Sequence, residues 1–318
     1  MTYERAPARR NCATVQTYFA MTDTYPAFRV NQRNLDIVSR AYRREQRQFR
    51  RVVTIPVVVH VVHRTDDENI SDEQVLSQLP VLNADFRARN ADIGNVPEPF
   101  GHMAADACIE FALARVDPDG NPTDGITRTP TTRTSFEAVT NDVKSRATGG
   151  IDPWDTLRYL NIWVCTLGRG LLGYAQFPGG PPETDGVVVL GTAFGTTGTA
   201  TAPFNLGRTT THEIGHYLNL SHIWGEERFP TCSDSDYVDD TPNQLGPNYG
   251  TPAYPSTSCP DAGEHGDLFV NYMDYVDDVS MFMFSHGQVA RMQAALEFAR
   301  RDLVDNADAI INPPMPVA

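Results

Sequence analysis

Between Thr211 and His222 the chain reads THEIGHYLNLSH, and the spacing of its three histidines leaves few ways to fold. His212 and His216 are four residues apart. On a helix they share one face and can offer two imidazoles to one metal ion, with Glu213 projecting beside the same site. The third histidine, His222, sharpens the constraint. At about 1.5 Å per residue a continuing helix would carry it roughly 9 Å past His216, beyond reach of the same ion. The helix must therefore stop and the chain must turn back. Asn219 stands where that turn is needed, and Asn is the non-glycine residue that best tolerates a left-handed cap. Three neutral imidazoles leave a zinc ion's fourth position open to water, as in catalytic rather than structural sites. A Glu beside the first His is then placed to act as general base.

This block resembles the extended zinc-binding motif of the metzincins, whose usual form has Gly where this chain has Asn219. The continuation His222-Ile223-Trp224-Gly225 and the later Asn271-Tyr272-Met273-Asp274-Tyr275 are similar to the pappalysin family, particularly its bacterial and archaeal ulilysin- and cytophagalysin-like members. The resemblance spans about Cys12 to Phe284. It implies an α+β metzincin-type zincin: a twisted, mostly parallel sheet, a backing helix, an active-site helix and a loop-rich C-terminal subdomain. It implies a zinc endopeptidase in which His212, His216 and His222 hold the metal and Glu213 takes the proton of the attacking water. Met273, which alone could be core filler, becomes the Met-turn residue beneath the zinc. Tyr275 becomes the hydroxyl that supports the oxyanion. A non-catalytic zinc-stabilised binding domain with the same fold is the other reading. Glu213 argues against it, because a structural zinc needs no general base.

Charge divides the chain. The net charge is −14, yet residues 1–51 hold 11 Arg and 4 acidic residues, a net +7, which leaves −21 for the rest. An acidic body argues against nucleic-acid binding and favours calcium or cationic substrates; a cationic segment ahead of it reads as an intramolecular partner. Within that segment lies Arg9-Arg10-Asn11-Cys12-Ala13-Thr14. On the residues alone Cys12 could be a free surface thiol. The resemblance makes it the cysteine of an inhibitory prosegment, a thiolate that occupies the zinc position water needs. The expected organisation is a prosegment over 1–50, a catalytic subdomain with the zinc-binding helix over 51–223, and a C-terminal subdomain with the Met-turn over 224–318. No apolar run approaches the length of a membrane helix, and Met1–Arg10 shows no signal-peptide pattern. The expected partners are peptide substrates and the chain's own prosegment, with no nucleic acid and no membrane.

Five cysteines leave at least one unpaired. Cys108 and Cys165 lie in apolar segments and read as buried thiols. Cys232 and Cys259 bracket a loop rich in Pro, Gly and Asp. They are candidate disulfide partners, a pairing the resemblance supports, and a disulfide implies an oxidising, extracellular setting. Inside that loop, residues 234–244 are dense in oxygen ligands. The spacing is not that of an EF-hand, and a solvated acidic loop is the plain alternative. The resemblance implies calcium there, with Asp236, Asp239, Thr241 and Gln244 as ligands. It also makes Asp277 and Asp278, otherwise a surface pair, the residues that favour Arg or Lys after the scissile bond.

Along the chain, residues 1–33 read as irregular and 34–51 as an Arg-rich helix. Val52–Val62 reads as a buried strand, with His60 and His63 on opposite faces and therefore structural. Ser71 opens a helix to about Arg89. Strands are expected at 109–116, 159–167, 173–177 and 187–190, a loop at 119–135, a short helix at 136–146, the active-site helix at 209–219, and a helix capped at Ser285 running to about Leu303. The stretch 173–177 is the expected edge strand, which in zincins pairs with substrate as an added antiparallel strand.

Overall fold

The computed structural model describes residues 7–45, 47–227, 229–260, 263 and 265–313. The first six residues of the expected prosegment and the last five of the C-terminal subdomain lie outside them. A β-branched run makes β1 (Val53–His63) the spine of a twisted sheet, followed by β2 (Ile109–Leu113), β3 (Ile126–Pro130), β4 (Leu160–Cys165), β5 (Gly173–Ala175) and β6 (Val187–Leu190). The order is β2-β1-β4-β6-β5, with β3 paired to the second half of β1. Every pairing is parallel except that of β5 with β6.

Alternation sorts β1 between two layers. Ile55, Val57, Val59 and Val61 are buried with Val75 and Leu82 of the backing helix α3 (Asp72–Asp85) and Phe86 just beyond it, while Val62 joins Trp163 and Tyr174 on the other face. Each fully buried side chain of this size contributes roughly 1.5–3 kcal/mol. His60 is held between Thr127 Oγ1 at 2.7 Å and Asn161 Oδ1 at 2.9 Å, and burial pushes it down to about 4. It is a structural histidine, as its strand position implies.

The expected elements differ from the observed ones in several places. Residues 14–24 are helical (α1, Thr14–Thr24), and α2 (Pro26–Arg44) starts earlier than the expected helix and stops at Arg44, inside the Arg-rich stretch. Pro26 ends one helix and begins the next, since its fixed φ suits a first helical position. The expected loop 119–135 contains β3, and the expected helix 136–146 is replaced by 3₁₀ turns at 142–144 and 146–148. Ser71 caps α3 by accepting from Gln74 N at 3.1 Å. The Gln74 side chain instead donates to Gly191 O and Phe194 O, tying the backing helix to the loop after β6. A one-turn helix, α4 (Glu98–Gly101), precedes β2.

The active-site helix is α5 (Arg208–Tyr217), and beyond it come α6 (His286–Phe298), α7 (Arg301–Asp305) and α8 (Ala307–Ile311). Ser285 and Gln288 form a full capping box at α6. Cys232 and Cys259 are bonded, with Cα atoms 5.6 Å apart; Cys165 is buried and Cys108 only partly so. Among the described residues no helix is long and apolar enough to cross a membrane.

Candidate active site

The helix α5 ends as the histidine spacing demands. Asn219 N donates to His216 O and Leu220 N to Gly215 O, both at 2.9 Å, and Asn219 sits at φ +76°. These two bonds define a Schellman cap with Asn at the left-handed position. The chain reverses and brings His222 back, so that its ring centroid lies 4.5 Å from that of His216 and 5.3 Å from that of His212. Beneath α5, Met273 packs against Gly215. A Cβ there would meet Met273 Sδ at 2.4 Å, so the helix and the Met-turn approach only because position 215 is glycine.

The three imidazoles are fixed through their Nδ1 atoms. His212 donates to Tyr272 O and His216 to Leu220 O, each at 2.7 Å, and His222 Nδ1 lies 3.0 Å from a Glu226 carboxylate oxygen. With the proton on Nδ1, the Nε2 lone pairs converge. His216 Nε2 and His222 Nε2 are 3.1 Å apart, and the buried His212 Nε2 has no hydrogen-bond partner. Lone pairs forced together in a buried place call for a cation between them. Burial and mutual repulsion also push His212 and His216 well below the usual histidine range, which keeps them neutral and able to ligate. Cys12 Sγ joins the cluster, whose ligand atoms all lie within 4.8 Å of one another. The donor set, three imidazoles and a thiol, suits zinc.

Glu213 stands beside this cluster, buried, and burial pushes it up to about 8. Its Oε2 accepts from Thr14 Oγ1 at 3.2 Å and from the Cys12 thiol at 3.3 Å. Gly173 of β5 makes room for it, since a Cβ there would lie 2.8 Å from Glu213 Cγ. The hydroxyl of Tyr275 meets Cys12 N at 3.3 Å and Cys12 O at 3.4 Å.

The segment around Cys12 is seated along the open edge of the sheet. Leu172 N donates to Asn11 O at 2.9 Å and Ala13 N to Gly173 O at 3.1 Å, a parallel pairing, and Ala175 N donates to Thr14 Oγ1 at 2.8 Å. Arg10 is 2% exposed and enters a pocket of polar acceptors: Asp278 Oδ1 at 2.5 Å, Thr209 Oγ1 at 3.0 Å and Val276 O at 3.1 Å. Asp278, wholly buried, also accepts from Leu206 N at 2.8 Å. Asp277 is only partly buried; its N–H donates to Gly250 O and its carbonyl accepts from Ser280 N, each at 2.9 Å. The cationic segment and the anionic body meet again where Arg43 pairs with Asp239 and Arg47 with Glu297, while Asp36 pairs in the opposite sense with Arg291.

The loop 234–244 gathers only part of its expected set. Asp236 accepts from Thr241 Oγ1 at 2.8 Å, and burial pushes it up to about 7. Asp239 faces Arg43, and Gln244 Nε2 donates to Asp274 Oδ2 at 3.0 Å. Gln244 Oε1 is buried without a hydrogen-bond partner.

Several supporting residues escaped the sequence reading. Arg208, one turn before His212, donates to Tyr272 OH at 2.8 Å and to Asp92 at 3.0 Å, while Asp85 of α3 accepts from Thr211 Oγ1 at 2.7 Å. They brace the Met-turn carbonyl that holds His212. Their signal would have been a buried charge on a motif helix, legible only with its distant partners. Glu226 carried a local signal, a carboxylate four residues after a loop histidine.

A family model described as pregnancy-associated plasma protein-A, of the M43 peptidases, matches residues 145–297. The extracellular metalloprotease of Arthroderma gypseum is 31% identical over 251 residues, 77% of this chain and 73% of the relative. Extracellular metalloprotease 1 of Coccidioides posadasii is 39% identical over 255 residues, 76% of each chain. Among solved structures, a Tannerella forsythia promirolysin mutant is 43% identical with TM-score 0.87, covering 96% of this chain and all of its own. Mature mirolysin of the same organism, in complex with a cleaved peptide, is 48% identical with TM-score 0.80, covering 82% and 99%. The fold and the site define a zinc metalloendopeptidase. The chain belongs to the pappalysin family of metzincins.

Proposed function

We propose that this chain is the latent form of a secreted endopeptidase that cuts before Arg or Lys. The observation that carries the reading is the convergence of three Nε2 lone pairs beside one buried carboxylate. In this reading His212, His216 and His222 hold zinc, which when bound polarises the scissile carbonyl and acidifies water. Glu213 accepts the water's proton and returns it to the leaving amine. A site that holds its carboxyl near neutrality favours both transfers. The Tyr275 hydroxyl donates to the oxyanion. The substrate lies antiparallel along β5, and its residue after the scissile bond sends a cation to Asp278, where Arg10 sits now.

Residues 1–50 act as the prosegment, with Cys12 in the position water needs. Support comes from coverage: the mature relative leaves about a sixth of this chain unmatched, and the pro-form does not. The subdomains 51–223 and 224–318 flank the cleft. Secretion is supported by the extracellular relatives and by the disulfide. Calcium bound around Asp236 and Thr241 is supported by the buried Asp236 carboxylate, which burial pushes up to about 7, and by the unpartnered Gln244 Oε1.

Two tests follow. After prosegment removal, cleavage of a proteome-derived peptide library should stop with a zinc chelator and return with zinc. Peptides with Arg or Lys after the cut should be favoured on the order of 100-fold, since an uncompensated buried Asp278 is strongly unfavourable. Equal cutting at all residues removes the specificity; activity that survives chelation removes the zinc mechanism. Calcium at a hundredfold excess over its Kd should add about 2.7 kcal/mol of stability. A melting temperature unmoved by a calcium chelator, with zinc replenished, removes calcium.

A further inference from the structure

Resting on the zinc reading above, we infer that Glu226 is a positioning residue for the third metal ligand and sets how tightly the site holds zinc. The three histidines are not braced alike. His212 and His216 stand on α5 and rest on backbone carbonyls, Tyr272 O and Leu220 O. His222 stands on a loop, three residues past a left-handed turn, where no helix fixes its backbone. Its brace is a side chain.

Glu226 grips that residue at two points. One carboxylate oxygen accepts from His222 N at 2.9 Å and the other faces His222 Nδ1 at 3.0 Å. The first bond fixes the main chain and the second fixes the ring and places its proton on Nδ1, which leaves Nε2 toward the metal. The remaining freedom of the ring is removed by Trp224, stacked on it at 4.5 Å with planes 6° apart, and by the edge of Tyr275 at 4.9 Å. Gly225, at φ +84°, makes the tight turn that brings Glu226 back to His222, its N–H donating to His222 O at 2.8 Å. The Glu226 side chain is 16% exposed, so its interaction is only partly screened by water.

The chemistry differs from that of the two carbonyl braces. A carboxylate on the far nitrogen makes an imidazole a stronger donor, and partners of this kind are worth about 10–100-fold in metal affinity. Glu226 also brings a negative charge to a site whose three nitrogen ligands are neutral.

The test uses the full chain, Cys12 included, in three forms: wild type, Glu226→Gln and Glu226→Ala. Gln has one acceptor oxygen and no charge, so it can satisfy one of the two donors. Zinc dissociation constants from chelator competition should weaken in the order wild type, Gln, Ala, with Ala about 10–100-fold weaker. The absorption bands of the cobalt-substituted proteins should shift in the same order, which a role in folding alone would not cause. The Gln variant decides the matter if Ala fails to fold. Variants that hold zinc within about threefold of wild type, with unshifted cobalt bands, overturn the assignment. If wild type itself takes up no zinc and the triple His variant behaves like it, the metal reading fails instead.

Discussion

Glu213→Ala is expected to lose at least ~100-fold in turnover on a peptide substrate while zinc content is retained. The expectation rests on geometry and environment together. Glu213 is the acidic residue next to His212 on α5, buried against the glycine of the edge strand, and held near neutrality by burial. Its removal leaves the Nδ1 braces of all three histidines in place, because none of them uses Glu213. The Thr14 hydroxyl keeps its bond from Ala175 N, so the latent fold loses little. Turnover of the activated variant and zinc content by metal analysis are the two measurements. Near-normal turnover would eliminate Glu213 as the proton carrier.

The second large effect is on latency. Full-length protein should show a lag before activity, and Arg10→Ala and Cys12→Ala should each shorten it. Arg10 fills the pocket of Asp278, and both partners are buried. Taking away one member of a buried pair costs about 3–5 kcal/mol, which is on the order of 10² to several times 10³ in the docking equilibrium of the segment. Cys12→Ala removes the thiol from the histidine cluster and should leave mature activity unchanged. Release requires a cut in the linker. Residues 47–52 have no regular structure and Arg50 and Arg51 are exposed, beside a cleft of about 1040 Å³ lined by Tyr42, Phe49 and Glu297. The new N-terminus should fall at 50–52 and the process should need Glu213. No lag with Cys12 intact refutes the switch; equal processing of Glu213→Ala alone refutes self-maturation.

Which parts of this were legible beforehand follows from the range of the forces involved. The helix, its stop at Asn219 and the return of His222 were readable because a metal ion ties residues ten apart to one point, and helix geometry is known. The edge strand and the Met-turn came from resemblance. The cap at Ser71 was readable only in half, since Gln74 is drawn to Gly191 and Phe194, more than 115 residues away. β3 was invisible because its own residues, Ile126–Pro130, are mostly polar, and only pairing with β1 makes them a strand. α1 shows little amphipathic pattern because the face it buries, Thr14, Thr17 and Met21, is mostly threonine. The acidic loop is legible only as a composition that suits a cation; that Asp239 would pair with Arg43 of the distant α2 is not written in the loop itself.

A polypeptide has a sense, and the segment around Cys12 runs parallel to β5, the reverse of the sense proposed above for a substrate. An added antiparallel strand would turn a carbonyl toward the metal side and its leaving nitrogen toward Glu213. Run the other way, amide and carbonyl exchange stations, and Tyr275 finds both groups of Cys12 at nearly equal range. In the reading proposed above, the bond beside Glu213 then has the wrong polarity to be cut. In the latent form proposed above, the segment can therefore occupy the cleft without being digested, and the vulnerable bond lies in the tether, some forty residues along the chain.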